Sequence, residues 1–452
     1  MLPKCQRLVR PTLAPPGLRL TRAGLRQISY SRSAQNVTLT SQDVIQPVPP
    51  SCNSNTSQVH PNPSLNETKL PPVTITPPTT TYPPPHVTEY KPVPPLTLAR
   101  LPKIYMQLSK ARLTTLVVLT AMSGVALSPL PATLPVLLGT AAGTALCSAT
   151  ANTINQMIEV PFDAQMARTR NRPLVRKAIT PLHAAGFAAV TGVAGPAVLL
   201  TFVNPVTAGL GALNIVLYSG IYTRMKRTSI VNTWVGAVVG AIPPVMGWTA
   251  CNGRLWPSST SPIELFPPPF LDFTGSIASY FPDLVHIAGT ADSPLGAFAL
   301  FMLLFSWQFP HFNSLAHLVR TSYAQGGYKM LPVTDPKKNA LVSLRHTVLL
   351  AGICTVATPL SGLTTWAFAA TSALPNAMLL NNAWRFWRRP GDKEARRLWH
   401  TSLWWLPVIL GLMMVHKQGT SWSEWIGLAE PEKHNEKEKE KEREVRVADK
   451  TE

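Results

Sequence analysis

From about residue 113 onward the chain alternates long runs of apolar and small residues with short polar connections. Each run approaches the roughly 20 residues a helix needs to cross a bilayer. About nine can be marked, near 113–129, 132–154, 181–203, 205–222, 230–250, 294–310, 339–358, 361–383 and 399–416. The abundant Gly, Ala, Ser and Thr within them let helices approach closely in lipid. The pattern predicts an all-α polytopic membrane protein, about nine transmembrane helices bundled around a central cavity. Outside 97–418 the pattern stops. Residues 34–96, with PPVTITPPTTTYPPPH, read as a disordered or polyproline linker. Residues 419–452, ending KHNEKEKEKEREVRVADKTE, read as a solvated tail or short charged helix. Within the membrane part, 251–293 is polar and Pro-rich, and reads as a loop insertion.

Charge orders these runs. Alternate connections hold Arg168, Arg170, Arg172, Arg176 and Lys177, then Arg224, Lys226 and Arg227, then Arg320, Lys329, Lys337 and Lys338, then the arginines and lysine from Arg385 to Arg397. The connections between them, near Pro131, Asn204 and Pro359 and in the insertion with its single Arg254, are nearly free of basic residues. The positive-inside rule then predicts an inner N-terminus, nine spans and an outer C-terminus. The formal charge of +19 is thus topological, and no nucleic-acid motif accompanies it. Only 14% of residues are charged and 45% are hydrophobic, which excludes an ordinary soluble domain. Residues 1–33 are Arg-rich and Ser-containing and precede the first acidic residue, Asp43, as a mitochondrial transit peptide does. "Inside" is then the matrix, with the C-terminus in the intermembrane space and the cavity opening to the matrix side. Sequons at Asn36, Asn55 and Asn66 weigh weakly against this in so Asn/Ser/Thr-rich a stretch. Cys5, Cys52, Cys147, Cys251 and Cys354 have no paired spacing and suggest neither zinc nor a disulfide framework.

The candidate chemistry falls on the basic side. NTINQMIEVPFDAQMARTRNRP places Asn155, Glu159 and Asp163 four apart, so on one helix face, with Arg168, Arg170 and Arg172 close behind. Acidic groups near bilayer depth mark a pathway or an active site. Mg²⁺ is typically held by one or two carboxylates plus substrate phosphates, so Glu159 and Asp163 are the candidate metal ligands and the arginines candidate phosphate holders. YTRMKRTSIVN sets Tyr222, Lys226 and Arg227 at the inner end of the fourth run, where a simple positive-inside loop is the rival reading. SWQFPHF sets Gln308 and His311 at the inner end of the sixth, where Pro310 could break a helix beside a cavity. Together these suit a lipid diphosphate: carboxylates for Mg²⁺, cations for phosphate oxygens, and an apolar interior for an isoprenoid tail. Neutralising the diphosphate makes it a better leaving group, so an allylic C–O bond can ionise.

From about Leu98 to Val415, NQMIEVPFDAQMARTRNRPLV, YTRMKRTSIVNTWVGAVVGAIPPVMGW and SWQFPHFNSLAHLVR with GGYKMLPV resemble the heme-farnesylating mitochondrial branch of the UbiA-type intramembrane prenyltransferases. The resemblance implies that heme b and farnesyl diphosphate are the substrates. A vinyl group is farnesylated, the neighbouring carbon hydroxylated and diphosphate released, giving heme o, the precursor of heme a for cytochrome c oxidase. The downstream heme a synthase is the implied partner and the inner mitochondrial membrane the implied place. Asn155, Glu159 and Asp163 match the family's first metal motif; Arg168, Arg172, Lys226 and Arg227 match its phosphate-facing positions, beside Tyr222. Two features depart from the family. Thr321 and Ser322 stand before Tyr323 where the family usually carries acidic residues, leaving Asp335 as a nearby carboxylate, and the 251–293 insertion is long. Two other readings remain: a prenyltransferase acting on an aromatic quinone precursor, against which SWQFPHF speaks, and an inner-membrane anion carrier. The carrier would not need the Asn–Glu–Asp row, and no internal repeat of the kind many transporters show is visible.

Overall fold

The computed structural model describes residues 95–258, 263–268, 285–287 and 293–419. The expected transit peptide, almost all of the linker and all but the first residue of the tail lie outside the described residues. The main helices are α1 (Leu101–Leu108), α2 (Ala111–Leu127), α3 (Leu134–Asp163), α4 (Pro181–Phe202), α5 (Pro205–Met225), α6 (Asn232–Ala250), α7 (Pro294–Leu318), α8 (Pro336–Leu360), α9 (Ala373–Arg388) and α10 (Asp392–Val415).

Several starts are written locally as a capping residue followed by proline. Thr180, Asn204, Ser293 and Asp335 each accept a backbone N–H of the first turn, and Pro181, Pro205, Pro294 and Pro336 follow them. The cap fills an orphan donor, while proline loses nothing at a position whose N–H has no helical partner. Inside the apolar helices, hydroxyls such as those of Thr150 and Thr153 donate back to the carbonyls of Leu146 and Ala149, so they need no water.

Among the described residues, six helices are long and apolar enough to cross a membrane, and seven if the pair α1–α2, bent by 58°, is one span. The remaining two of the nine expected runs are helical but do not meet that test. α6 has 19 residues, carries Pro243 and Pro244 inside it and is buried along most of its length. α9 has only 16 residues and carries Arg385 and Arg388 in its last turn. By contrast only 22% of α4's apolar window is buried, and Leu182, Val190 and Val193 face outward, as expected of a helix solvated by lipid.

α3 packs on α2, α4 and α5; α2 lies on α6, α6 on α7, and α7 on α8 and α10, while α10 returns against α2. A ring of helices results. The largest apolar core joins its α6–α10 side, around Trp248, Leu303, Phe386 and Trp405. The α2–α6 crossing is close because both helices present glycine: a Cβ on Gly124 or Gly247 would overlap the carbonyl of Pro244 or Ala121. The insertion modifies the all-α expectation slightly, since β1 (Ile263–Leu265) and β2 (Val285–Ile287) pair in parallel, with Glu264 opposite His286. Its residue Phe266 docks at the end of α8, donating its N–H to Leu360 O at 2.9 Å and accepting the Trp366 indole N–H at 2.9 Å. Among the described residues, Cys147, Cys251 and Cys354 are buried free thiols.

Candidate active site

α3 runs unbroken from its apolar half into the acidic row, so Asn155, Glu159 and Asp163 do share a face, and all three are buried. Their polar neighbours arrive from elsewhere in the chain. Lys226, in the loop after α5, places Nζ 2.7 Å from Glu159 Oε1, and Arg172 reaches Glu159 Oε2 at 3.6 Å. Arg172 also pairs closely with Asp163 Oδ2. Burial works against the charges of Lys226 and Arg172. The carboxylates beside them outweigh it, holding Lys226 well above the usual lysine pKa and raising that of Arg172.

Asn155 does not stand free as a third ligand. Its Oδ1 accepts a hydrogen bond from Lys110 Nζ at 2.9 Å, and its amide donates to Thr223 Oγ1 at 3.0 Å. Lys110 occupies the α1–α2 bend in a left-handed conformation, φ 50°. A non-glycine residue adopts this only where surroundings enforce it. Here α3 does so: Asn152 donates to Ser109 O, and Gln156 to Gln107 O and Leu108 O, satisfying carbonyls that the end of α1 leaves open. The cluster thus brings three cations, Lys110, Arg172 and Lys226, to two carboxylates.

The cluster adjoins a cavity of about 560 Å³ ringed by α2, α3, α5, α6, α7 and α10. Its walls are mostly apolar, with Asn152, Tyr218 and Tyr222 at the end that meets the charges. Lys226 Nζ lies 4.7 Å from the Tyr222 ring centre, and Lys110 Nζ is 3.5 Å from the Tyr218 hydroxyl. Gln308 and His311, on α7, line the same cavity from the opposite wall and do not touch the carboxylates. Gln308 donates to Ala237 O at 2.9 Å and Leu304 O at 3.1 Å.

Arg168 and Arg227 are exposed and make no ion pair with the acidic row. Arg168 lies over Tyr323 at 5.8 Å and Arg227 over Phe162 at 4.3 Å. Tyr328 links those two rings, 5.9 Å from Tyr323 and 6.1 Å from Phe162. An aromatic layer capped by arginines therefore floors the cluster. The Tyr328 hydroxyl is buried without a hydrogen-bond partner and feels the charges of Glu159, Lys226, Asp163 and Arg172. Asp335 is exposed and caps α8 through Lys338 N at 2.8 Å, so its carboxylate has a structural occupation. Lys110, Tyr218 and Tyr328 are site residues that the spacing of motifs did not single out. Their only local signals are a lysine just before the first apolar run, a tyrosine four before Tyr222, and the tyrosine of GGYKM.

Among the described residues no group of three or more His, Cys, Asp or Glu side chains gathers as a metal site. Two carboxylates do, and buried Asp163 Oδ1 has no hydrogen-bond partner. An oxygen so placed suits a cation whose other ligands come from phosphate and water.

A helical bundle whose apolar chamber ends in a buried cluster of cations and carboxylates has the chemistry to hold an amphiphile with an anionic head. The chain belongs to the UbiA prenyltransferase family, which matches residues 117–406. It is 44% identical over 318 residues to a protein of Homo sapiens named protoheme IX farnesyltransferase, mitochondrial, covering 70% of this chain and 63% of that one. With the protein of the same name from Yarrowia lipolytica it shares 41% identity over 343 residues, 73% of this chain and 64% of the other. The chain thus spans somewhat less than two thirds of the length of these curated relatives. Among solved structures, one concerned with digeranylgeranylglyceryl phosphate synthase in membranes superposes with a TM-score of 0.55 at 13% identity, over 71% of this chain and 99% of that one. That likeness bears on the fold alone.

Proposed function

We propose that the protein transfers the farnesyl group of farnesyl diphosphate to a vinyl carbon of heme b in the inner mitochondrial membrane. The products are heme o and diphosphate; a hydroxyl from water is added at the neighbouring carbon and the proton is released. The observation that carries this reading is the union of the apolar chamber with the Glu159–Asp163–Arg172–Lys226 cluster at one end. The names of the relatives supply the acceptor and the compartment. The basic connections support a matrix-side site, an N-terminus on that side and the opposite side for the C-terminus.

Three cations facing two carboxylates leave one net positive charge to attract the diphosphate. Arg172 and Lys226 bind its oxygens, and Lys110, held by Asn155, reinforces them from the α1–α2 bend. The buried Tyr328 hydroxyl has a proton to donate to the same oxygens. Glu159 and Asp163 would hold Mg²⁺, whose charge makes diphosphate a better leaving group. Tyr218 and Tyr222 present ring faces at the junction of head and tail, where positive charge develops on the allylic carbon. The aromatic floor, closed by Arg168 and Arg227, excludes water until the new carbon–carbon bond has formed.

The decisive experiment incubates purified protein in detergent with heme b, farnesyl diphosphate and Mg²⁺, and seeks the hydroxyethylfarnesyl heme by mass, with and without EDTA. Metal-dependent product is expected. Its absence from folded protein, with product formed on a quinone precursor instead, would overturn the choice of acceptor.

A further inference from the structure

We infer that His311 is the residue that ligates the iron of the porphyrin acceptor, through Nε2. This rests on the proposed reading of heme b as substrate, and goes beyond it in naming how the ring is held. His311 lines the chamber wall on α7, one turn past Gln308. The next residue, Phe312, packs on the aromatic floor with Phe162 and Tyr328, so His311 stands near the charged end, where a transferable carbon would lie.

The hydrogen bonds around His311 fix its tautomer. Ser402, on α10, has one hydroxyl proton, and its Oγ donates to Trp399 O at 2.7 Å. Only lone pairs of that oxygen remain for His311 Nδ1, 3.0 Å away, so Nδ1 carries the imidazole proton and donates it. Nε2 then holds the free lone pair. This is the arrangement in which a histidine serves as a metal ligand, with the other ring nitrogen donating to a fixed acceptor. The ring plane is fixed as well: the imidazole stacks on Trp307 at 4.6 Å and 16°. Trp307 is itself anchored by its indole N–H to Ser402 O at 2.9 Å. One residue of α10 therefore orients both rings. A satisfied core histidine would use both nitrogens; this one uses Nδ1 and offers Nε2 beside an apolar chamber. A coordinate bond at one point sets the height and tilt of the macrocycle in the chamber, within reach of the end where the diphosphate carbon would lie.

The test is the visible spectrum of heme b bound to the purified full chain, ferric and after dithionite reduction, without farnesyl diphosphate. Wild type is expected to show a histidine-ligated Soret band. His311→Ala should lose that signature and bind heme about tenfold more weakly, and millimolar imidazole should restore the band. Ser402→Ala, a gentler change that keeps the ligand but frees its tautomer, should weaken the signature partway. If wild type binds heme and both His311→Ala and Ser402→Ala give the wild-type spectrum, the ligand assignment is overturned while the acceptor stands. If folded wild type binds no heme, both fall.

Discussion

The charged cluster at one end of the chamber and the chamber's α7–α10 wall are built by opposite means. In the cluster, beyond Tyr218 and Tyr222, polarity is ionic and dense: Glu159, Asp163, Arg172 and Lys226 interlock, and Lys110 is delivered by a strained bend. On the α7–α10 side, the polar groups are neutral and few. Gln308 is bound to backbone, His311 is stacked on Trp307, and both aromatic side chains are tethered to Ser402. Ionic groups are costly to bury and stay only where partners or ligands compensate them; stacked rings have no such requirement. The difference fits the proposed division of labour, in which the charged end handles a diphosphate and the α7–α10 wall the face of a macrocycle.

The comparison breaks most sharply at the carboxylates. Asp163→Asn and Glu159→Gln remove charge while keeping shape, and each is expected to lower prenyl transfer by about 10²- to 10³-fold. The heme spectrum should remain, because neither carboxylate lies on the ring wall. A variant that lost transfer and heme binding together would show that the two regions do not work separately. Lys226→Met is expected to cost stability as well as turnover, since it leaves Glu159 with Arg172 alone. Combining it with Glu159→Gln should return part of the lost stability in a thermal melt in detergent, as a double-mutant cycle requires of paired groups.

The same contrast explains what the sequence made legible. Asn155, Glu159 and Asp163 are one helical turn apart, so local spacing was enough to place them on one face, and Arg172 and Lys226 lay in the adjoining basic segments. The ring wall was legible only in part: SWQFPHF marked Gln308 and His311 as candidates beside a cavity, and both line it. His311 acquires its role from Ser402, 91 residues away, and nothing in SWQFPHF announces that serine. Lys110 belongs to the site only because α3 amides hold the bend, and Asn155 becomes its anchor rather than an independent ligand. Arg168 and Arg227 sat in the right loops but turned to aromatic faces, a choice set by Tyr323 and Phe162. Of the nine runs read from hydropathy, six to seven meet the length and composition of a span among the described residues, and the other two are helical.

A smaller effect is expected at a seam of the chamber. α2 and α6 touch through Gly124 and Gly247, and Gly247→Ala would drive a methyl into the Ala121 carbonyl. Backbone cannot yield as a side chain does, so overpacking here should cost about 1–3 kcal/mol, read as a lower melting temperature. Because the two helices line the chamber, transfer should fall with stability while the metal requirement is unchanged.

The smallest effect is expected at Asp335, and it bears on how the charged cluster is delimited. The resemblance read from the sequence implies acidic residues just before Tyr323, where Thr321 and Ser322 stand, and leaves Asp335 as a nearby carboxylate without an assigned role. Its geometry gives it a structural one: Oδ1 accepts Lys338 N at 2.8 Å, the carboxylate is exposed, and Pro336 follows as the first helical residue. Asp335→Ala should therefore behave as the loss of an N-cap, about 1 kcal/mol of stability, with transfer and its EDTA sensitivity unaltered. Asp335→Asn retains an acceptor oxygen for the cap and removes the charge, so it should resemble wild type in both respects. Were Asp335→Asn to lose transfer while keeping its melting temperature, the carboxylate would have to act on the diphosphate side, and the ionic cluster would extend beyond the single row on α3.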